Sequence, residues 1–243
     1  MTYTLDLAVP ARALAVAAHP DDVEFGCGGT LAKWAAAGCS IHHVICTDGS
    51  KGTWDPNADL SQLVTTRQAE QREAARILGG RDDVVFLGWH DGELEDGPTQ
   101  RRQLAHWIRR LQPDVVLGHD PWRRYRLHPD HRHAGFLLTD GVVAARDPHF
   151  FPEPGLEAYR PTTLLLWEAD EPDHVEDVGA HLQTKVAALL AHRSQYRSTM
   201  GIEGETDEKQ VERFRRRVAD TAAEHGQPVG VAYGERFKAL RDL

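Results

Sequence analysis

Apolar runs of β type alternate with longer runs of helical period from residue 13 to residue 193, and this alternation constrains the fold more than any other feature. The β-type runs are ALAVAA (13–18), SIHHVICT (40–47), DVVFLG (83–88), DVVLGH (114–119) and TTLLLWEA (162–169). Between and after them lie TLAKWAAAG (30–38), TTRQAEQREAARILGG (65–80), TQRRQLAHWIRRLQ (99–112), HRHAGFLLTDGVVAA (131–145) and VGAHLQTKVAALLAHR (178–193), whose apolar positions recur with helical spacing. Such βα repetition predicts a mostly parallel sheet with helices on both faces, a single Rossmann-like α/β domain over residues 1–243. A strand order of 3-2-1-4-5 would set the first and fourth of these strands side by side, with a ligand crevice beyond their carboxyl ends. Residues 146–161 read as a Pro-rich crossing loop, and GIEGETDEKQVERFRRRVADTAAEHG (201–226) as a charged surface helix.

The loop after the first strand reads AHPDDVEFGCGG (18–29). Adjacent carboxylates disfavour each other's ionised form unless a cation or proton lies between them, so Asp21 and Asp22 point to a bound metal. His19 and Asp22 are three residues apart in a turn stiffened by Pro20, which lets both face one ion while Asp21 faces elsewhere. The loop after the fourth strand leads to HPDHRH (128–133), a second cluster that the strand order brings to the same crevice. A nitrogen ligand from that cluster completes a His, Asp, His set with an open position, the pattern of a catalytic zinc. Such an ion lowers the pKa of bound water to about 7 and polarises a carbonyl oxygen. Asp21 suits the general base beside that water. A charged histidine of the second cluster, held by Asp130, suits stabilisation of an oxyanion.

GCGGT (26–30) lacks the GxGxxG spacing of a dinucleotide loop; Gly28 and Gly29 are expected instead to let a helix starting near Thr30 approach the metal loop. His42, His43, His90, His106, His174, His181 and His225 read as surface or core groups, and His133 as a lesser alternative to His131. Trp122, Arg123, Arg124, Tyr125 and Arg126 sit at the expected crevice mouth. There an aromatic ring can stack on a sugar, and arginines can meet a carboxylate or phosphate.

A formal charge of -9 argues against broad nucleic-acid or anionic-membrane binding and leaves a small molecule as the expected partner. The apolar start of the chain is broken by Pro10 and Arg12 with no basic flank, and no run reaches the roughly 18 apolar residues of a membrane span. Cys27, Cys39 and Cys46 are odd in number and lack a CxxC spacing, which suits reduced, buried thiols and a cytoplasmic location. Self-association is left open.

The sequence resembles the LmbE-like, or PIG-L, de-N-acetylase family. The resemblance spans most of the chain and rests on AHPDDVEFGCGGTLA (18–32), TDG (47–49), RQAEQREAARILG (67–79), LGWHDGEL (87–94), HPDHR (128–132) and AHRSQ (191–195). It implies a Rossmann-type fold holding Zn2+ and removal of acetyl from N-acetylglucosamine-type amino sugars or their conjugates. By motif position it implies zinc ligands His19, Asp22 and His131, general base Asp21, and His128 as the charged partner of the oxyanion with Asp130 behind it. Arg67, Asp48 and Asp91 fall near the implied sugar pocket, although Arg67 can equally pair with Glu70 or cap a helix. Where some members carry HPDDE, Val23 here precedes Glu24. Two other readings share these residues: an amidase cleaving a thiol conjugate or another N-acyl compound, and a sugar-binding module without chemistry.

Overall fold

A computed structural model describes residues 2–80, 84–204 and 207–243. The chain forms strands β1 (Thr4–Leu5), β2 (Arg12–Ala17), β3 (Ser40–Thr47), β4 (Val85–Trp89), β5 (Val115–His119), β6 (Thr163–Trp167), β7 (His174–Asp177) and β8 (Gly234–Arg241). Its α-helices are α1 (Asp22–Ala36), α2 (Leu60–Ile77), α3 (Pro98–Leu111), α4 (Pro129–Arg146), α5 (Leu182–Leu189) and α6 (Glu208–Gly226). All strands join one sheet in the order β1-β7-β8-β6-β5-β2-β3-β4. The five strands expected from sequence run parallel and stand in the expected 3-2-1-4-5 order, with β2 between β3 and β5. Residue 83, at the start of the third expected strand, lies outside the described residues.

Alternation along β2 divides the core. Ala13, Ala15 and Ala17 pack with Val23, Leu31, Ala74 and Leu78 of the α1 and α2 side. Leu14 and Val16 pack with Leu104, Ile108, Leu137 and Leu138 of α3 and α4 on the other. Both faces of β2 are thus buried, as a central parallel strand requires.

Three strands were not expected. β8 pairs antiparallel with β6 and β7, and β1 adds in parallel to β7, so the sheet is mixed at this end. The charged segment proves to be a capped helix from Glu208, with Asp207 accepting from the Lys209 and Gln210 N–H groups. Its apolar stripe of Phe214, Val218 and Ala222 packs against Leu182, Val186 and Leu189 of α5. Residues 205 and 206 of that segment lie outside the described residues.

The first helix also departs from expectation. It starts at Asp22, not near Thr30, and carries its glycines inside. A Cβ on Gly26 would lie 2.5 Å from Trp167 Cδ2, and one on Gly29 would lie 2.8 Å from Val178 Cβ. Close packing therefore overrides the poor helix propensity of glycine here. All three cysteines are buried and free, as expected. Among the described residues, no helix is long and apolar enough to cross a membrane.

Candidate active site

The carboxyl ends of β2 and β5 bring together the loop 18–21, the first turn of α1, and the loop that leads into α4. His19 Nδ1 lies 3.3 Å from Asp22 Oδ2 and 3.2 Å from His131 Nε2, while His131 Nε2 lies 3.3 Å from Asp22 Oδ1. Three ligand atoms of suitable chemistry thus face one point. The far nitrogen of His19, Nε2, lies 3.1 Å from Asp130 Oδ2 and 3.2 Å from Asp91 Oδ1. A histidine with one nitrogen toward a metal position and the other on a carboxylate is the usual arrangement of a metal ligand. Burial opposes charge on His19, but Asp130, Asp22 and Asp91 outweigh it and hold its pKa well above the ordinary imidazole range. Three carboxylates around one buried imidazole are an excess of negative charge that a divalent cation would balance, so the residues fit a metal. At His131, Arg126 Nη1 donates to Nδ1 at 2.8 Å. Ligation through Nε2 places the ring proton on Nδ1, which requires Arg126 to release that bond; the guanidinium already contacts Glu168.

Asp130 was expected behind His128; it serves His19 instead, and also accepts from the Gly92 and Leu94 N–H groups. His128 was expected to be charged. Its ring stands 4.7 Å from those of His19 and His131, and burial followed by repulsion from both pushes its pKa below the ordinary value.

Asp21 is buried and takes a left-handed backbone, φ 92°, at the N-cap of α1. Burial pushes its carboxyl up to about 6, with Arg67 opposing and Asp22 adding to the rise. Arg67 is buried rather than lining a sugar pocket. It donates to Pro20 O at 2.7 Å and Gly49 O at 2.8 Å and lies 3.6 Å from Asp21 Oδ2. Glu70 does not pair with it; that carboxylate accepts from Ser194 instead. Asp48 accepts from the Ser50 and Asp91 N–H groups and meets His90 Nδ1 at 3.1 Å, while Asp91 accepts from the Lys51 N–H as well as meeting His19. Both carboxylates therefore act within the loop framework, and Asp91 reaches His19.

A groove of about 690 Å3 opens beside Asp21, Asp22 and His131 and runs past Gly26 and Trp167 to Arg217 and Arg236. Of the expected mouth residues, Arg123 lines it. Trp122 and Arg124 line a neighbouring cavity, and Arg124 is engaged by Asp170. His133 pairs with Asp96 at 3.4 Å and does not replace His131.

The sequence reading missed His119. This buried residue ends β5, lies 3.3 Å from Asp22 Oδ2, accepts from Trp167 Nε1 at 2.9 Å and stacks on His131. Its position at a strand's carboxyl end was the available signal.

A mostly parallel, doubly covered sheet here carries at its carboxyl edge two histidines and an aspartate that could hold a metal ion, beside a second, buried aspartate, the donor set of a hydrolase-type site. The chain belongs to the PIG-L family, described as GlcNAc-PI de-N-acetylase, which matches residues 14–142. A diacetylchitobiose deacetylase of Thermococcus kodakarensis is 33% identical over 188 residues, covering 76% of this chain and 70% of that one. A 1D-myo-inositol 2-acetamido-2-deoxy-alpha-D-glucopyranoside deacetylase of Mycolicibacterium vanbaalenii is 32% identical over 231 residues, covering 76% and 81%. The structure of N,N'-diacetylchitobiose deacetylase from Pyrococcus horikoshii superposes with TM-score 0.85 at 31% identity, covering 96% of this chain and 84% of that one.

Proposed function

We propose that this de-N-acetylase is zinc-dependent and releases acetate from an N-acetylglucosamine-type amino sugar or its conjugate. The observation that carries the reading is the convergence of His19 Nδ1, Asp22 and His131 Nε2 beside the buried carboxylate of Asp21. The relatives named as deacetylases of diacetylchitobiose and of an inositol-linked acetamido sugar support the substrate class.

His19, Asp22 and His131 would hold the ion. Bound there, it supplies Lewis acidity to the amide carbonyl and acidifies water. Asp21 accepts a proton from the attacking water at its carboxylate, whose pKa of about 6 leaves it ionised at neutral pH yet basic enough to accept. The same carboxyl returns that proton to the departing sugar nitrogen, so the proton count closes with free acetate and amine. His128 donates a ring N–H to the carbonyl oxygen as charge develops there. Asp130 and Asp91 hold the His19 ring in the orientation that presents Nδ1. The groove is of the size that takes a sugar with an attached group.

The test is acetate release by zinc-loaded protein from free, phosphorylated, inositol-linked and malate-linked N-acetylglucosamine and from diacetylchitobiose. Release from one of these supports the reading and fixes the conjugate. An amine product without acetate from a longer N-acyl compound, with the panel silent, would replace it by an amidase.

A further inference from the structure

The Pro20–Asp21 peptide is held at both of its polar ends by one face of α2. Arg67 Nη2 donates to the carbonyl at Pro20 O, 2.7 Å away, and Gln71 Oε1 accepts from the Asp21 N–H at 2.9 Å. Arg67 and Gln71 are four residues apart and so stand on neighbouring turns of that face. Gln71 is itself anchored: its Nε2 donates to Glu24 Oε1 at 2.8 Å, and Glu24 Oε2 meets His192 Nε2 at 3.2 Å. Gln71, Glu24 and His192 are each 0% exposed. The chemistry fixes the direction of the chain. A backbone N–H only donates, so Gln71 turns its oxygen to Asp21 and its NH2 to Glu24, which only accepts.

We propose that Gln71, braced by Glu24 and working with Arg67, is a positioning residue that locks the Pro20–Asp21 peptide plane and thereby aims the Asp21 carboxylate. The left-handed φ of 92° is a conformation that a non-glycine residue holds only when its surroundings impose it. Rotation of that peptide plane is the soft motion that would relax Asp21, and the two bonds from α2 block it from opposite sides. A buried carboxylate and a buried amide are expensive to place in a core where apolar side chains would pack at lower cost. Here they hold the one backbone turn that separates the proposed base from the proposed ligand Asp22. The role of Asp21 in this inference rests on the reading of the preceding section; the clamp itself does not.

The experiment exploits the polarity of the chain. Gln71→Glu keeps an acceptor for Asp21 but sets two carboxylates face to face, while Glu24→Gln combined with Gln71→Glu restores an amide donor between them. In metal-loaded, folded Gln71→Glu, kcat for diacetylchitobiose falls about 10- to 100-fold, as expected for a misplaced reacting group. KM stays within about threefold of the parent, because the groove is untouched. The double variant recovers most of kcat. Hydrogen exchange at the Asp21 amide provides a readout without substrate or metal. It speeds up about tenfold or more in Gln71→Leu and in Gln71→Glu, and slows again in the double variant. An unchanged kcat and unchanged exchange in the single variants, or a double variant no better than Gln71→Glu, overturns the clamp. Altered exchange with no acetate release by the parent protein would retain the clamp and refute the substrate reading.

Discussion

His19 Nε2 lies 3.1 Å from Asp130 Oδ2, so the aspartate of the HPDH cluster braces the histidine of the HPDD loop across the crevice. The two clusters are therefore one unit: the second supplies both His131 toward the metal position and the carboxylate that orients His19.

Loss of such a carboxylate partner weakens metal affinity by roughly 10- to 100-fold in comparable sites. Asp130→Asn is expected to fall in that range, read by competition for zinc against a chromophoric chelator. Affinity equal to that of the parent would show that His19 is oriented without Asp130.

Gly26 faces the buried ring of Trp167, and a Cβ there would lie 2.5 Å from Cδ2. Trp167 in turn donates to His119, which contacts Asp22. Gly26→Ala is expected to cost about 1–3 kcal/mol of stability, measured by urea unfolding, because overpacking displaces a buried ring from its packed position and from its bond to His119. Stability unchanged within error would mean that the ring moves freely.

His225 has its pKa pushed down to about 4 by burial, with Arg236 and Lys185 adding repulsion. The folded state then binds fewer protons at this site than the unfolded state, whose value is 6.5. This contribution is complete above pH 6.5, declines as pH falls, and is lost below about 4. The loss amounts to about 2 kcal/mol once partial exposure is allowed for. His225→Gln should flatten the stability profile between those limits in urea titrations at stepped pH. A profile parallel to the parent's would place the titration elsewhere.

The strand order was legible because each central strand is an apolar run buried on both faces, and the alternation between strand and helix leaves few topologies. β8 was not legible: GERFKALR alternates buried and part-exposed residues on an antiparallel strand, so its composition resembles a charged tail. Gly26, Gly28 and Gly29 hid the start of α1, since the packed neighbours Trp167 and Val178 that explain Gly26 and Gly29 are visible only in the fold. Spacing pointed to His19, Asp22 and a nitrogen of the second cluster, and the family resemblance singled out His131, but neither revealed the partners of these side chains. Asp130 precedes His131 in sequence yet turns to His19, and Gln71, although it lies in the 67–79 motif, is uncharged and shows no role until the fold places it against Asp21. His128 was read as charged from Asp130 beside it in sequence, whereas in space its ring also stands against the imidazoles of His19 and His131.

The central claim is that Asp21 carries the proton in a site whose metal is held by other residues. Asp21→Asn preserves the size of the side chain and leaves His19, Asp22 and His131 intact. The decisive measurement is acetate release from diacetylchitobiose by parent and Asp21→Asn protein, with the zinc content of each determined on the same samples. The account predicts one zinc per chain in both and a loss of about 10²–10⁴-fold in kcat for the variant. An Asp21→Asn protein that keeps its zinc and turns over within a few-fold of the parent would contradict it.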